Sequence, residues 1–195
     1  MTSQERNRYK LKQLILYVAR EMEDAEYFGV TKLNKILFRV DHAAFRQLGR
    51  KLTTFQYQKN VNGPTLLAFK HVTGELVRDG EAKLESRPIG ARRSGRPVHD
   101  EQRLRVLVEP DTDVFTTAEM AIIDRELARA RSRSGTKVSD EEHETAAWYA
   151  TRSGEIIDPK LTLVEDPGVK IPLNEDEERR ASAAIERFRA RAGAV

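Results

Sequence analysis

"TKLNKILFRVDHAAFRQLGR", residues 31–50, decides the fold. Leu33, Ile36, Leu37, Val40, Ala44 and Leu48 recur at the spacing of one apolar helix face. Thr31 stands where an N-cap is expected, and Gly49 is the stop. At about 100° per residue, Lys35, Arg39, His42 and Arg46 share one stripe, read as basic and solvated. Asn34 and Asp41 fall inside the apolar arc, between Leu37 and Leu48 on one side and Phe38 and Phe45 on the other. A polar group in that position needs a hydrogen-bonding partner. The two lie roughly 10 Å apart along the axis, too far to grip one ion or one reacting atom together. The favoured expectation is that each bonds the backbone of a neighbouring loop. A polar groove that receives a partner chain is the sharper alternative, and catalysis is the least favoured.

Working outward, a first helix is expected from about Arg8 to Glu26, with Leu11, Leu14, Ile15, Val18 and Met22 on one face. After Gly49, "LTTFQYQ" reads as extended, with Phe55 and Tyr57 on one side, and "NVNGPT" as a turn. Pro64 suits the first position of a third helix, which would carry Leu66, Leu67, Phe69, Val72, Leu76 and Val77 and close at Gly80. "AKLES" and "RLRVLVE" alternate as the strands of a β-hairpin, joined by a loop holding Arg87, Arg92, Arg93 and Arg96. Thr116 with Glu119, and Ser139 with Glu142, are capping boxes that open further helices. "LTLVEDPG" is expected to be a final short strand. A charged helix capped by Asn174 follows, with a narrow stripe of Ala181, Ala184, Ile185 and Phe188. These elements define an α+β, mostly helical chain. They predict a single domain of about six helices with a small antiparallel β-hairpin over 7–165, then a charged linker and helix over 166–195.

Composition narrows the function classes. The apolar fraction of 39% supports a real core. Lys and Arg total 34 against 31 acids, and a net charge of +3 does not by itself mark a nucleic-acid binder. Cysteine is absent, which removes disulfides and thiolate chemistry. No signal-peptide pattern and no membrane-length apolar run occur, so the expectation is a cytoplasmic protein with no membrane partner. His42, His71, His99 and His143 show no i+3 or i+4 pairing, and HExxH and GxSxG are missing. "GARRSG" lacks the GK[ST] of a phosphate loop. A non-enzyme without catalytic residues, metal or cofactor is therefore expected.

Nucleic acid has a better case than catalysis. A third helix followed by a basic hairpin is the chain order of a winged helix, with Arg92, Arg93 and Arg96 as contacts from the wing. The third helix offers only Lys70, His71 and Arg78 as long donors, which is poor for reading bases. A winged-helix-like DNA-binding regulator using the hairpin 87–96 stands as the alternative reading.

Two separated blocks resemble the Panacea domain, the SocA-like antitoxin domain also met in phage-associated proteins. The first carries Lys32, Leu33, Lys35, Ile36, Leu37, Asp41, Phe45, Gly49, Arg50, Gly63 and Pro64. The second, "HETAAWYATRSGEIID", carries His143, Glu144, Trp148 and Thr151. The resemblance implies a mostly helical domain with a small antiparallel element. It also implies a non-enzymatic role in a toxin–antitoxin system, binding and neutralising a toxin encoded beside it. Some similar proteins are adaptors that hand the toxin to a protease, so a protease or chaperone is a further implied partner. On this reading Asn34 and Asp41 are structural polar groups tying the second helix to "YQKNVNGP". The partner surface is expected around Lys35, Arg39, Tyr57, Lys59, Asn62, Pro64, His143 and Trp148. For Trp148, core packing with its indole N–H on a backbone carbonyl competes with a role as interface anchor.

Overall fold

The computed structural model describes residues 1–25, 27–61, 63–89, 99–131, 146–165 and 175–192. Helix α1 (Ser3–Glu21) starts earlier than its apolar periodicity announces, because Thr2 and Glu5 close a reciprocal capping box. Helix α2 (Val30–Leu48) is capped by Gly29 and not by Thr31, and ends on Gly49 in the left-handed conformation. Gly29 is required by close approach: a Cβ there would sit 2.4 Å from Cγ of Glu101 and 3.0 Å from the Gln102 carbonyl oxygen.

Strands β1 (Tyr57–Asn60) and β2 (Gly63–Leu66) pair antiparallel, with Asn60 opposite Gly63 and Lys59 opposite Pro64. Pro64 therefore lies in a strand, and helix α3 (Phe69–Arg78) begins after it, not at the proline. The physical reason lies in the ladder. The Leu66 and Lys59 N–H groups point away from the strand pairing, to Asn34 and Glu155, so Pro64 sits where no ladder donor is needed. Gly63, at φ 110°, makes the turn.

Strands β3 (Ala82–Ile89) and β4 (His99–Val106) form the expected second hairpin, with Leu84 opposite Leu104, but they run further into the loop: Arg87 lies in β3 opposite Glu101, and β4 ends at Val106, short of Glu109. Helix α4 (Thr117–Arg131) opens on the capping box of Thr116 and Glu119. Helices α5 (Ala146–Ala150) and α6 (Glu175–Ala192) follow; α6 lies against α5 and a 3₁₀ turn at Pro159–Glu165. That turn replaces the expected last strand. Asp158 accepts from the Lys160 amide at 2.9 Å, and the Thr162 hydroxyl donates to the Pro159 carbonyl at 2.6 Å. Leu161, Thr162 and Leu163 are buried in succession, without the alternation of a strand. Six α-helices and two antiparallel strand pairs are thus present among the described residues, a mostly helical α+β architecture. The arginine-rich loop with Arg92, Arg93 and Arg96, and the capping box at Ser139, lie outside the described residues.

Helix α2 is central. It packs on α1, α4, β2, β4 and the 3₁₀ turn, and buries Leu33, Ile36, Leu37, Val40 and Ala44. Two glycines separate backbone requirement from backbone weakness. A Cβ on Gly63 would lie 2.9 Å from Cε of Lys35, at a positive φ, whereas one on Gly74 inside α3 would meet nothing within 4 Å. Gly63→Ala is expected to destabilise by about 1–3 kcal/mol. Gly74→Ala is expected to stabilise by about 0.5–1 kcal/mol. Urea denaturation of the two variants checks both signs.

Candidate functional site

The polar residues inside the apolar arc of α2 define the site. Asp41 is fully buried. Its Oδ1 accepts from the Thr53 N–H at 2.9 Å, and its Oδ2 from the Thr53 hydroxyl at 2.8 Å and the Tyr57 hydroxyl at 3.0 Å. Asn34, two turns earlier, accepts from the Leu66 N–H at 3.1 Å and donates to the Val30 carbonyl at 3.0 Å. Asp41 thus holds the start of β1 through Tyr57, and Asn34 holds β2. Burial pushes the Asp41 carboxyl above its ordinary range, against the opposing pull of its Thr53 bonds and of Lys51. Burial and Asp41 together hold the Tyr57 phenol well above its ordinary value, so it remains a donor.

Lys35 is 5% exposed, and its stem passes under Gly63, which has no side chain to obstruct it. Arg50, just past the end of α2, reaches the buried Glu119 at 2.8 Å, beside Lys10 at 2.8 Å. Arg39 bonds Glu126 of α4 at 3.1 Å. The outer edge of β1 is filled by 154–157: the Lys59 N–H donates to Glu155, the Gly154 N–H to Lys59, and the Ile157 N–H to Tyr57. The Lys59 ammonium donates to the carbonyls of Trp148 at 2.6 Å and Thr151 at 2.9 Å, and lies 4.4 Å from the Trp148 ring.

These contacts correct the expected surface. Lys35, Tyr57 and Pro64 are buried, and Arg39 is largely enclosed, its side chain 13% exposed. Lys59 and Trp148 are half-buried, and Trp148 packs against the core. Three of the four residues of the stripe read as solvated, Lys35, Arg39 and His42, are therefore covered, because β1, β2 and α4 close over a helix whose wheel shows only its own faces, while Arg46 is exposed as expected. Asn62 and His143 lie outside the described residues. His42 belongs to the same covered stripe. It is 6% exposed, packs on Phe38 at 3.8 Å between ring centres, and its Nδ1 has no hydrogen-bond partner. Sequence reasoning passed over Thr53, the donor of two of the three bonds to Asp41. The signal available was the need of a buried carboxylate for nearby donors, which does not name the loop that supplies them.

Among the described residues no three His, Asp or Glu side chains converge as a metal site, and no helix is long and apolar enough to cross a membrane. The arrangement is a scaffold in which one helix holds both strands of a hairpin through paired polar anchors. The family model for "Antitoxin SocA-like, Panacea domain" matches residues 33–149. The chain belongs to that family. No curated protein and no solved structure matches it significantly.

Asp41→Ala leaves three donors without their acceptor and is expected to cost about 3 kcal/mol. Tyr57→Phe removes one of the three bonds and should cost about 1 kcal/mol. Chemical denaturation checks the order, and a larger loss for Tyr57→Phe would contradict it. His42 gives a pH prediction. Burial, then Lys51, lowers it from 6.5 to about 3. The folded chain keeps it neutral while the unfolded chain protonates it below its ordinary value. Stability is therefore full above pH 6.5 and falls as the solution is acidified towards 3, by about 1.4 kcal/mol per pH unit from this group. His42→Phe should remove that one-proton slope in urea midpoints measured between neutral and mildly acidic pH.

Proposed function

We propose that this chain neutralises a cognate protein toxin by direct, stoichiometric binding. The family match over residues 33–149 carries the reading. The placement of the family's residues supports it. Lys35, Asp41, Gly63 and Pro64 build the first hairpin on α2, Gly49 ends that helix and Arg50 ties its end to Glu119, which is the work of a scaffold that presents a surface. Asp41 has no exposed surface and already accepts from three donors, so it has no open position for a substrate. Delivery of the bound toxin to a protease would be a later stage of the same binding.

The DNA-binding alternative draws less support. His71 lies 3.4 Å and Arg78 3.9 Å from Glu75, which also takes Arg8 at 2.5 Å. Two of the three long donors of α3 thus face a carboxylate that opposes phosphate.

The test is a titration against the toxin encoded beside this chain. Inhibition is expected to saturate at a fixed molar ratio. Inactivation of excess toxin by a trace of this protein would establish turnover and reject the proposal. A sequence-preferring operator complex that Arg92, Arg93 and Arg96 sustain would promote the DNA reading.

A further inference from the structure

Beside the Asn34 anchor an open groove of about 510 Å³ runs between β2, the start of α3 and the second hairpin. Its apolar lining is Val30, Pro64, Leu66, Leu67, Phe69 and Leu84. Leu67 and Leu84 are 52% and 50% exposed. Leu84 lies on the same face of β3 as the buried Ala82 and opposite the buried Leu104, so it belongs to the inward face of the hairpin. The core ends before it is covered. An apolar surface left open on an inward face is the kind that a partner covers.

Charge specifies the partner. Among the lining residues Lys70 is the one that is charged, and no carboxylate lines the groove. Lys70 is exposed and makes no ion pair among the described residues, whereas the next residue, His71, lies against Glu75. Helix α3 has no side-chain cap and no acid in its first turn, so its dipole adds to Lys70 in the same sense. The groove is therefore apolar with a positive rim.

We propose that this groove seats an apolar segment of the toxin that carries a carboxylate beside its apolar anchor. The inference rests on the antitoxin reading above. A second copy of this chain fits less well, because an isologous contact would set concave face against concave face. One cation among apolar and neutral polar groups is also too little for a nucleic-acid backbone.

The experiment uses the full chain and the toxin encoded beside it. Leu67→Ser/Leu84→Ser and Lys70→Glu alter exposed positions; Arg152→Glu, exposed and off the groove, is the control. Calorimetric titration is expected to show an affinity loss of about tenfold or more for the double variant. Lys70→Glu should weaken binding more at low salt than at high salt, and Arg152→Glu should bind as the parent does. Amide exchange in the unsubstituted complex gives an answer independent of variant folding, with protection expected at residues 65–67 and 84. Parental affinity in both groove variants, or unchanged exchange at those residues, overturns the groove while the antitoxin reading stands. A parent chain that does not bind the toxin overturns both. Self-association that the groove variants abolish assigns the groove to a second copy and overturns the toxin's place in it.

Discussion

The rest of the structure depends on the carboxylate of Asp41. A carboxylate taken wholly out of water is tolerated only when donors replace the lost solvent. Here Thr53 gives two bonds and Tyr57 one, so the loop after α2 and the first residue of β1 are both tied to the helix. Asn34 repeats the device two turns away and takes the one strand of the hairpin that Asp41 does not reach. The small sheet has only two strands, too few to stand alone in water. Its outer edges are completed by the Asn34 side chain and by the 154–157 segment.

The buried carboxylates divide into two kinds. Among the described residues no cation bonds Asp41 directly, and desolvation leaves its carboxyl raised. Burial also pushes Glu119 upward, but Lys10, the Thr116 amide and Arg50 bond it directly and hold it below its ordinary value. Glu119 thereby fastens α1, the end of α2 and the cap of α4 at one point. Glu126 does similar work further along α4, taking Arg39 and Arg129. Polar anchors thus fix which elements meet, while the shared apolar core supplies most of the burial.

For function the division of labour is clear. Lys35, Asp41, Gly63 and Pro64 lie under the surface and build the first hairpin on α2. On the reading proposed above, the groove built outside them, with Leu67, Leu84 and Lys70 exposed, is what the toxin meets.

The sequence by itself determined the mostly helical class, the central helix, the second hairpin and the capping box of α4, because each is a local pattern of period or spacing. It also marked Asn34 and Asp41 as needing partners, since an apolar arc tolerates no unpaired polar group. The family resemblance pointed to the segment that starts at Tyr57, but only the tertiary structure decided the bonds themselves and added Thr53 and Leu66 from outside that segment, met through packing. It also placed Pro64 in a strand, turned "LTLVE" into a 3₁₀ turn, and covered Lys35, Arg39 and His42. The reason is common to all of these. A helical wheel or a short run of residues states which groups lie on one side of an element, while burial depends on what folds over that side.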